Sequence, residues 1–311
     1  MVFADTAFAQ DPEFTQFYAN PLYLNPAFAG SARCPRFTLN YRNEWPALSG
    51  VYNTYHASYD QHIDAISGGI GLMAMQDNAG TGGILKRTWL SGVYSYQMNV
   101  TRDFSIAAGF QVTYAQLSVD WNKLTFGDQI DPKKGFVYLT NEITNAQFSG
   151  KKSSIDFSSG ILGYSRRYFF GFAVDHLTQP DEALVGGKSV LPMKIVGHVG
   201  AVIPLEVAKD GSETTISPNI LYMQQLNIQQ LLLGMYFSKG PLTAGLWYRH
   251  QDAFILLVGF QQPTFKIGYS YDVTVSNLAT ASAGAHEISL QYIFACKPKK
   301  KKFRTISCPS F

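Results

Sequence analysis

The chain has 311 residues, a formal net charge of +3, only 15% charged residues and 14% aromatic residues. Most of the excess positive charge lies in the last fifteen residues, so a basic face for nucleic acid is excluded from the body of the chain. No stretch approaches the ~18 apolar residues of a membrane-spanning helix. Low charge with abundant Tyr and Phe is instead typical of a transmembrane β-barrel with aromatic girdles.

The N-terminus contains Ala7-Phe8-Ala9 before Gln10, which is the form of a secretory cleavage site. We expect residues 1–9 to be the remnant of a signal peptide and the mature chain to begin at Gln10. The alternative is a disordered start that carries Ala-x-Ala by chance.

Residues 10–35 contain the pairs Asn20-Pro21 and Asn25-Pro26, which break strands and long helices. Large apolar and aromatic side chains nevertheless crowd this segment between Phe14 and Phe28. The sequence therefore predicts an ordered, non-regular segment packed on or in a barrel. The alternative is a short helix-turn lead-in at the membrane surface.

Residues 36–296 show the period-two alternation of β-strands, and they predict an all-β, antiparallel transmembrane barrel of about fourteen strands. The predicted strands are 36–43, 52–60, 67–76, 87–98, 103–117, 155–165, 168–177, 194–203, 215–226, 229–238, 241–250, 253–261, 264–273 and 286–296.

The last predicted strand alternates most clearly, with Ile288 and Leu290 on one face and Glu287 and Ser289 on the other. It must pair with the first strand, because an open sheet edge is not tolerated in lipid. Long connections on one side and short turns on the other, with 204–214 as the exception, place both termini on the periplasmic side of the outer membrane. The longest connection, 118–154, is the first candidate for contacts outside the cell.

Five charged residues lie on the polar face of predicted strands, where they should point into the lumen because a basic side chain facing lipid costs about 2–4 kcal/mol at the midplane. They are Arg42, Arg249, Lys266, Asp272 and Glu287. Either they form a salt-bridged plug that makes the barrel rigid, or they line a passage or peptide site.

The three cysteines, Cys34, Cys296 and Cys308, flank the strands, and barrel closure brings these two regions together. Any pairing is sterically conceivable, with one thiol left over. We favour a disulfide that includes Cys308, because it would fix the tail; the alternative is three free thiols.

The C-terminal segment 297–311 is basic and is predicted to be a periplasmic tail. Clustered lysines attract periplasmic partners or anionic lipid headgroups. The candidate partner contacts are Lys297, Lys299, Lys300, Lys301, Lys302 and Arg304.

The sequence predicts no catalytic, cofactor-binding or metal-ligating residue, no cofactor and no nucleic-acid partner. Weaker alternatives are a hydrolase centred on His176 beside Asp175, a cation held by His250 and Asp252, and a calcium loop at 127–135. The glycines of 68–71 lie within a strand, and they are expected to bend it or to make room in the lumen.

Motifs at both ends of the chain resemble the PorP/SprF family of outer-membrane proteins of the type IX secretion system. They are Gln10–Tyr18 and Asn20–Gly30 at the front, Ser270–Asp272, His286–Leu290 and Arg304–Phe311 at the back, and Arg42–Trp45 and Tyr248–Arg249 between them.

This resemblance implies a non-enzymatic barrel that works in protein export and, in gliding relatives, in motility. It implies as partners a periplasmic ring lipoprotein, a peptidoglycan-binding protein and secreted cargo. The alternative function is a channel for small or hydrophobic solutes.

Overall fold

A computed structural model describes residues 11–47, 50, 52–131, 133–138, 150–184, 187–207, 213–275, 284–296 and 308 of the chain. The strands are β1 (Arg36–Glu44), β2 (Asn53–Ile63), β3 (Gly68–Ala79), β4 (Leu85–Asn99), β5 (Phe104–Val119), β6 (Lys151–Ser165), β7 (Tyr168–Asp175), β8 (Lys194–Ala201 and Ile203–Val207), β9 (Glu213–Gln225), β10 (Ile228–Lys239), β11 (Leu242–Arg249), β12 (Ala253–Gln261), β13 (Phe265–Thr274) and β14 (Ala285–Ile293).

The remaining elements in the described part of the chain are short. A single-turn helix, α1, spans Pro21–Leu24. Turns of 3₁₀ helix occupy Phe17–Ala19, Pro26–Phe28, Asp64–Ile66, Trp121–Lys123 and Gly127–Gln129, and a two-residue ladder pairs Ile130–Asp131 with Gly135–Phe136. No helix among the described residues is long and apolar enough to cross a membrane.

The fourteen strands form one closed antiparallel barrel, which confirms the predicted fold class. Each strand pairs with its neighbours in the chain, and β14 closes the sheet against β1 with Arg36 opposite Ile293 and Glu44 opposite Ala285. Closure satisfies both edges of the sheet, which lipid requires.

The exception among the predicted connections, 204–214, is explained by the structure. Strand β8 continues through Ile203–Val207 and β9 starts at Glu213, so only residues 208–212 connect them. These five residues lie outside the described part of the chain. The register shifts between Pro204 and Glu206, and a proline is tolerated there because ladder pairing is interrupted.

Large apolar side chains cover the outside of the barrel. In β3, for example, buried and exposed residues alternate, and Leu72 is 62% exposed between two buried neighbours. The same alternation leaves Ile155 and Val258 exposed on β6 and β12. A continuous apolar exterior of this kind is expected where the solvent is lipid.

Both ends of the strand array lie at the same end of the barrel, where β1 starts and β14 ends. The connections β2–β3, β4–β5, β6–β7, β10–β11 and β12–β13 at that end are short. The long connections 120–150 and 176–193 lie at the opposite end. We call these the termini end and the loop end.

Candidate functional site: a lumen filled by the N-terminal segment

Residues 11–35, which we call the plug, fold inside the barrel. Phe14, Phe17, Leu22 and Leu24 are each at most 5% exposed. The two Asn-Pro pairs shape the plug: Pro21 and Pro26 each stand at the start of a short helical turn, where a missing N–H costs nothing. The Asn25 carboxamide accepts from the Ala27 N–H at 2.9 Å and donates to the Ile161 carbonyl of β6 at 3.1 Å.

Aromatic contacts fill the middle of the lumen. Phe17 lies 5.1 Å from the Trp247 ring of β11, and Tyr18 meets Phe169 of β7 edge to face at 5.3 Å. Offset and edge-to-face pairs of this kind are the favoured ring geometries. The plug is thus packed against opposite walls of the barrel like a protein core.

Glycines in the wall make room for the plug backbone. A Cβ at Gly109 would lie 2.3 Å from the Ala27 nitrogen, and one at Gly69 would lie 2.2 Å from the Ala29 carbonyl oxygen. The expectation that glycines of 68–71 make room in the lumen therefore describes Gly69. A Cβ would also lie within 3.0 Å of a plug atom at Gly71, Gly160 and Gly268.

Glu287 of β14 is the main hydrogen-bond acceptor for the N-terminal part of the plug. Its carboxylate accepts from the Thr15 backbone N–H at 2.6 Å, the Thr15 hydroxyl at 2.8 Å and the Gln16 N–H at 3.3 Å. Arg42 donates to the same hydroxyl at 3.2 Å and lies 3.5 Å from Glu287. Because Glu287 is fully buried, removing one partner would leave a buried charge uncompensated.

Four of the five predicted lumen charges converge around this point. Arg42 also pairs with Asp272 at 3.0 Å, and Arg249 lies 3.6 Å from the same carboxylate. Lys266 points inward too but lies apart from this group, beside a small cavity of about 50 Å³ that Gln16 and Tyr18 also line. The four residues belong to motifs that are far apart in the sequence.

The back of the plug is held by a pair that the sequence analysis missed. The Asp60 carboxylate of β2 accepts from the Gly30 N–H at 2.8 Å. The Arg36 guanidinium of β1 donates to both oxygens of the same carboxylate, from Nε at 2.8 Å and from Nη2 at 3.1 Å. Arg36 and Asp60 are direct cross-strand partners, so the register of the first hairpin was the signal that could have found them.

The first described residue of the plug, Asp11, is anchored at the loop end. His176 lies between two carboxylates, with Nε2 2.6 Å from Asp11 and Nδ1 2.5 Å from Asp156. Burial alone would lower the pKa of His176, but the two carboxylates raise it to about 10. Lys194 and Arg87 also face Asp11 at 3.9 Å, so the pKa of Asp11 falls below its usual value despite burial.

This geometry leaves no general base at His176, the residue considered for a hydrolase. Both ring nitrogens face carboxylates, so the imidazole is protonated and has no lone pair for a proton. Among the described residues, no group of three or more His, Cys, Asp or Glu is arranged to hold a metal ion.

The disulfide joins Cys34 to Cys296, and Cys308 is free and buried. The expectation of a disulfide that includes Cys308 is therefore wrong. The reason is the closure of the sheet: pairing of β1 with β14 continues to a bond from the Phe294 N–H to the Pro35 carbonyl at 2.9 Å, which places Cys34 and Cys296 side by side.

Cys308 is the one described residue of the predicted tail, and its N–H donates to the Ser31 carbonyl of the plug at 3.3 Å. It belongs to the same buried cluster as Phe17 and Tyr18. The candidate partner contacts Lys297, Lys299–Lys302 and Arg304, and the expected signal remnant 1–9, lie outside the described residues.

Residues 6–292 match the family described as type IX secretion system membrane protein PorP/SprF. No curated protein matches the chain. Among solved structures, the Ralstonia pickettii toluene transporter TbuX is similar with a TM-score of 0.52 at 11% identity, over 88% of this chain and 93% of that one. A Pseudomonas aeruginosa FadL homologue gives a TM-score of 0.44 at 14% identity, over 87% and 93%.

At 11% identity the likeness to the toluene transporter bears on the fold alone, which is that of an outer-membrane barrel. The family match covers nearly the whole chain, and Arg42, Asp272 and Glu287, which belong to the motifs of the resemblance, meet beside Thr15 of the plug. The chain belongs to the PorP/SprF family of type IX secretion system membrane proteins.

Proposed function

We propose that this protein is a closed, non-enzymatic scaffold of the type IX secretion machinery in the outer membrane. Its termini face the periplasm, where it holds the ring lipoprotein or the peptidoglycan-binding partner of the machine, or a secreted cargo. The observation that carries the proposal is the filled lumen: the plug occupies the space that a solute channel would keep open.

Three anchors along the plug support a permanent closure. They are His176 for Asp11, Glu287 for Thr15, and Asp60 for Gly30. An irregular segment in a lumen needs such partners for its backbone groups, because each unpaired buried N–H costs free energy comparable to a lost hydrogen bond. A segment held this firmly serves a scaffold better than a conduit.

The orientation is supported by the lengths of the connections. Bacterial barrels have short periplasmic turns and longer outer loops, and here the short turns share an end with both termini of the strand array. The basic segment 297–311 then starts on the periplasmic side, and its charge suits an acidic partner surface.

The test is a mild-detergent pull-down of the tagged protein from its own cells, with mass spectrometry of what is recovered. We expect secretion components of the periplasm, and a loss of them in the triple variant Lys299→Glu, Lys300→Glu and Lys301→Glu. Reversing three exposed lysines on the long connections at the loop end, Lys133, Lys134 and Lys188, is the matched control and should leave recovery unchanged.

Recovery of the barrel alone would contradict the scaffold and favour the solute channel that the sequence left open. Recovery with a single large surface protein would indicate a dedicated cargo anchor in place of a ring partner. Membrane insertion of each variant is checked by the heat-dependent gel mobility of the folded barrel.

A further inference from the structure

A cavity of about 440 Å³ opens at the loop end, above the Asp11–Glu13 segment of the plug. We call it the vestibule. Its wall comes from the loop-end parts of β1, β2, β3 and β10 to β14, and its floor comes from the plug. It is separate from the termini end, so the contacts proposed for the tail do not use it.

The vestibule carries an excess of negative charge. Two guanidinium groups, Arg42 and Arg249, line it together with six carboxylates: Asp11, Glu13, Glu44, Asp77, Asp252 and Asp272. Asp11 is neutralised from outside the vestibule by His176. Five carboxylates then face two cations, and the bordering connections 45–52 and 275–284 contain no Lys or Arg to make up the difference.

The partners within the vestibule leave acceptors unused. Arg42 is engaged by Glu44 at 2.6 Å and by Asp272 at 3.0 Å, and Arg249 is engaged by Asp252 at 2.9 Å. The Asp272 Oδ1 and Gln230 Oε1 atoms are buried and accept no hydrogen bond from any described residue. The Arg249 Nε and Nη2 donors at the same cavity are also buried without a hydrogen-bond partner among the described residues. Buried polar atoms without partners are costly, and the two acceptors can take N–H donors from a ligand.

The carboxylate of Asp77 is also available, since the hydrogen bond that reaches it comes from the neutral Thr54 hydroxyl at 2.7 Å. The carboxylates line different walls, and no described set of three or more converges as metal ligands do. Spread acceptors suit a larger cation with several N–H donors better than a metal ion.

Aromatic rings complete the wall. Trp45 and Tyr52 meet edge to face at 5.2 Å and both line the vestibule. Trp45 has a left-handed backbone, with φ of 50°, that is held by a bond from its N–H to the Gly284 carbonyl at 2.9 Å. Such a conformation is costly for a bulky residue and is concentrated at functional sites, and the indole face is the best aromatic partner for a cation.

We infer that the vestibule binds an organic cation, namely an ammonium or guanidinium group carried by a peptide side chain or by a free amine. Asp77 and Glu44 supply the charge, Asp272 Oδ1 and Gln230 Oε1 accept from the N–H donors, and Trp45 covers the apolar stem. With the termini in the periplasm, this site opens to the outside of the cell.

The test is calorimetric titration of the purified full-length barrel with three probes: Nα-acetyl-lysine amide, 1,5-diaminopentane, and Nα-acetyl-glutamine amide as the neutral control. We expect both cationic probes to bind and the glutamine probe not to. Tighter binding of the lysine probe would indicate a peptide side chain as the natural ligand, and tighter binding of the diamine a free amine.

Asp77→Asn should weaken binding of the cationic probes about tenfold or more, since it removes a charge and keeps the acceptor for Thr54. Glu44→Gln is a second variant that keeps an acceptor for Arg42 and should act in the same direction. Asp103→Asn, an exposed change at the termini end, is the control and should bind as the wild type does.

The inference is overturned if neither cationic probe binds the wild type at concentrations up to about 10 mM. A dissociation constant above that value is too weak for a ligand site. It is also overturned if the glutamine probe binds equally well, or if folded Asp77→Asn and Glu44→Gln variants both keep the wild-type affinity. None of these outcomes depends on which partners the pull-down recovers.

Discussion

Single side chains of the wall replace the partners that secondary structure would have given to the plug backbone. Glu287 receives the Thr15 N–H and Asp60 the Gly30 N–H, while Gln97 donates to the Ala29 carbonyl at 2.9 Å. The inward face of the strands therefore carries polar side chains because an irregular segment needs hydrogen bonds at fixed places.

The anchor at His176 should make the barrel sensitive to alkaline pH. Its pKa in the folded protein is raised to about 10 from the ordinary 6.5, so its stabilising contribution is complete below pH 6.5 and is lost as the pH rises through about 10. The groups that face it are Asp11, Asp156 and Asp175.

We expect the thermal unfolding midpoint of the wild type to decrease as the pH rises from 6.5 to about 10. His176→Gln should lower the midpoint by about 5 °C at neutral pH, and it should remove most of the decrease of the midpoint with pH. His250→Gln, which changes an exposed histidine at the same end, is the control. A His176→Gln profile that parallels the wild type would contradict the anchor.

Sequence alternation placed Arg42, Arg249, Asp272 and Glu287 on the correct face, because the face of a residue depends only on its own strand. It could not show which of them meet. Thr15 and Glu287 are 272 residues apart, and the cysteine pairing depends on the register of β1 against β14. Contacts of this kind follow from closure of the barrel and not from local pattern.

At the scale of the element, a strand carries glycine on its inward face where the plug backbone touches it. Strand β5 carries Gly109 on its inward face against Pro26 and Ala27, whereas Gly92 of β4 has nothing within 4 Å of a Cβ position. The two positions lie in neighbouring strands and differ in what a methyl group would meet.

Gly109→Ala should destabilise the folded barrel by about 1–3 kcal/mol, since the added Cβ would lie 2.3 Å from a backbone nitrogen and must displace the plug. Gly92→Ala should change stability by less than about 0.5 kcal/mol. Denaturant unfolding of both variants in detergent measures the difference. Equal stabilities would mean that the plug does not press on the wall.

The existence of the strands was predictable, because alternation persists over nearly every one of them. Their ends were less so. One strand was predicted to end at residue 203, but β8 continues to Val207 through a local shift of register between Pro204 and Glu206. The short helices of the plug could not be predicted, because packing inside the lumen, not propensity, holds turns of three or four residues.

At the scale of the molecule, the disulfide, the plug and the buried Cys308 bring three distant parts of the chain together at the termini end. The barrel wall, the plug and Cys308 thus pack together in one buried cluster. The plug thereby occupies the middle of the barrel lumen.

The most direct test of this account is the ionic conductance of single barrels in a planar bilayer. We predict that the wild type is nearly silent. The double variant Asp60→Asn and Glu287→Gln weakens two anchors of the plug and should raise the fraction of time open about tenfold or more. The exposed changes Asp103→Asn and Glu213→Gln should leave the barrel silent. Steady open-channel currents through the wild type would contradict the closed scaffold and identify the protein as a conduit.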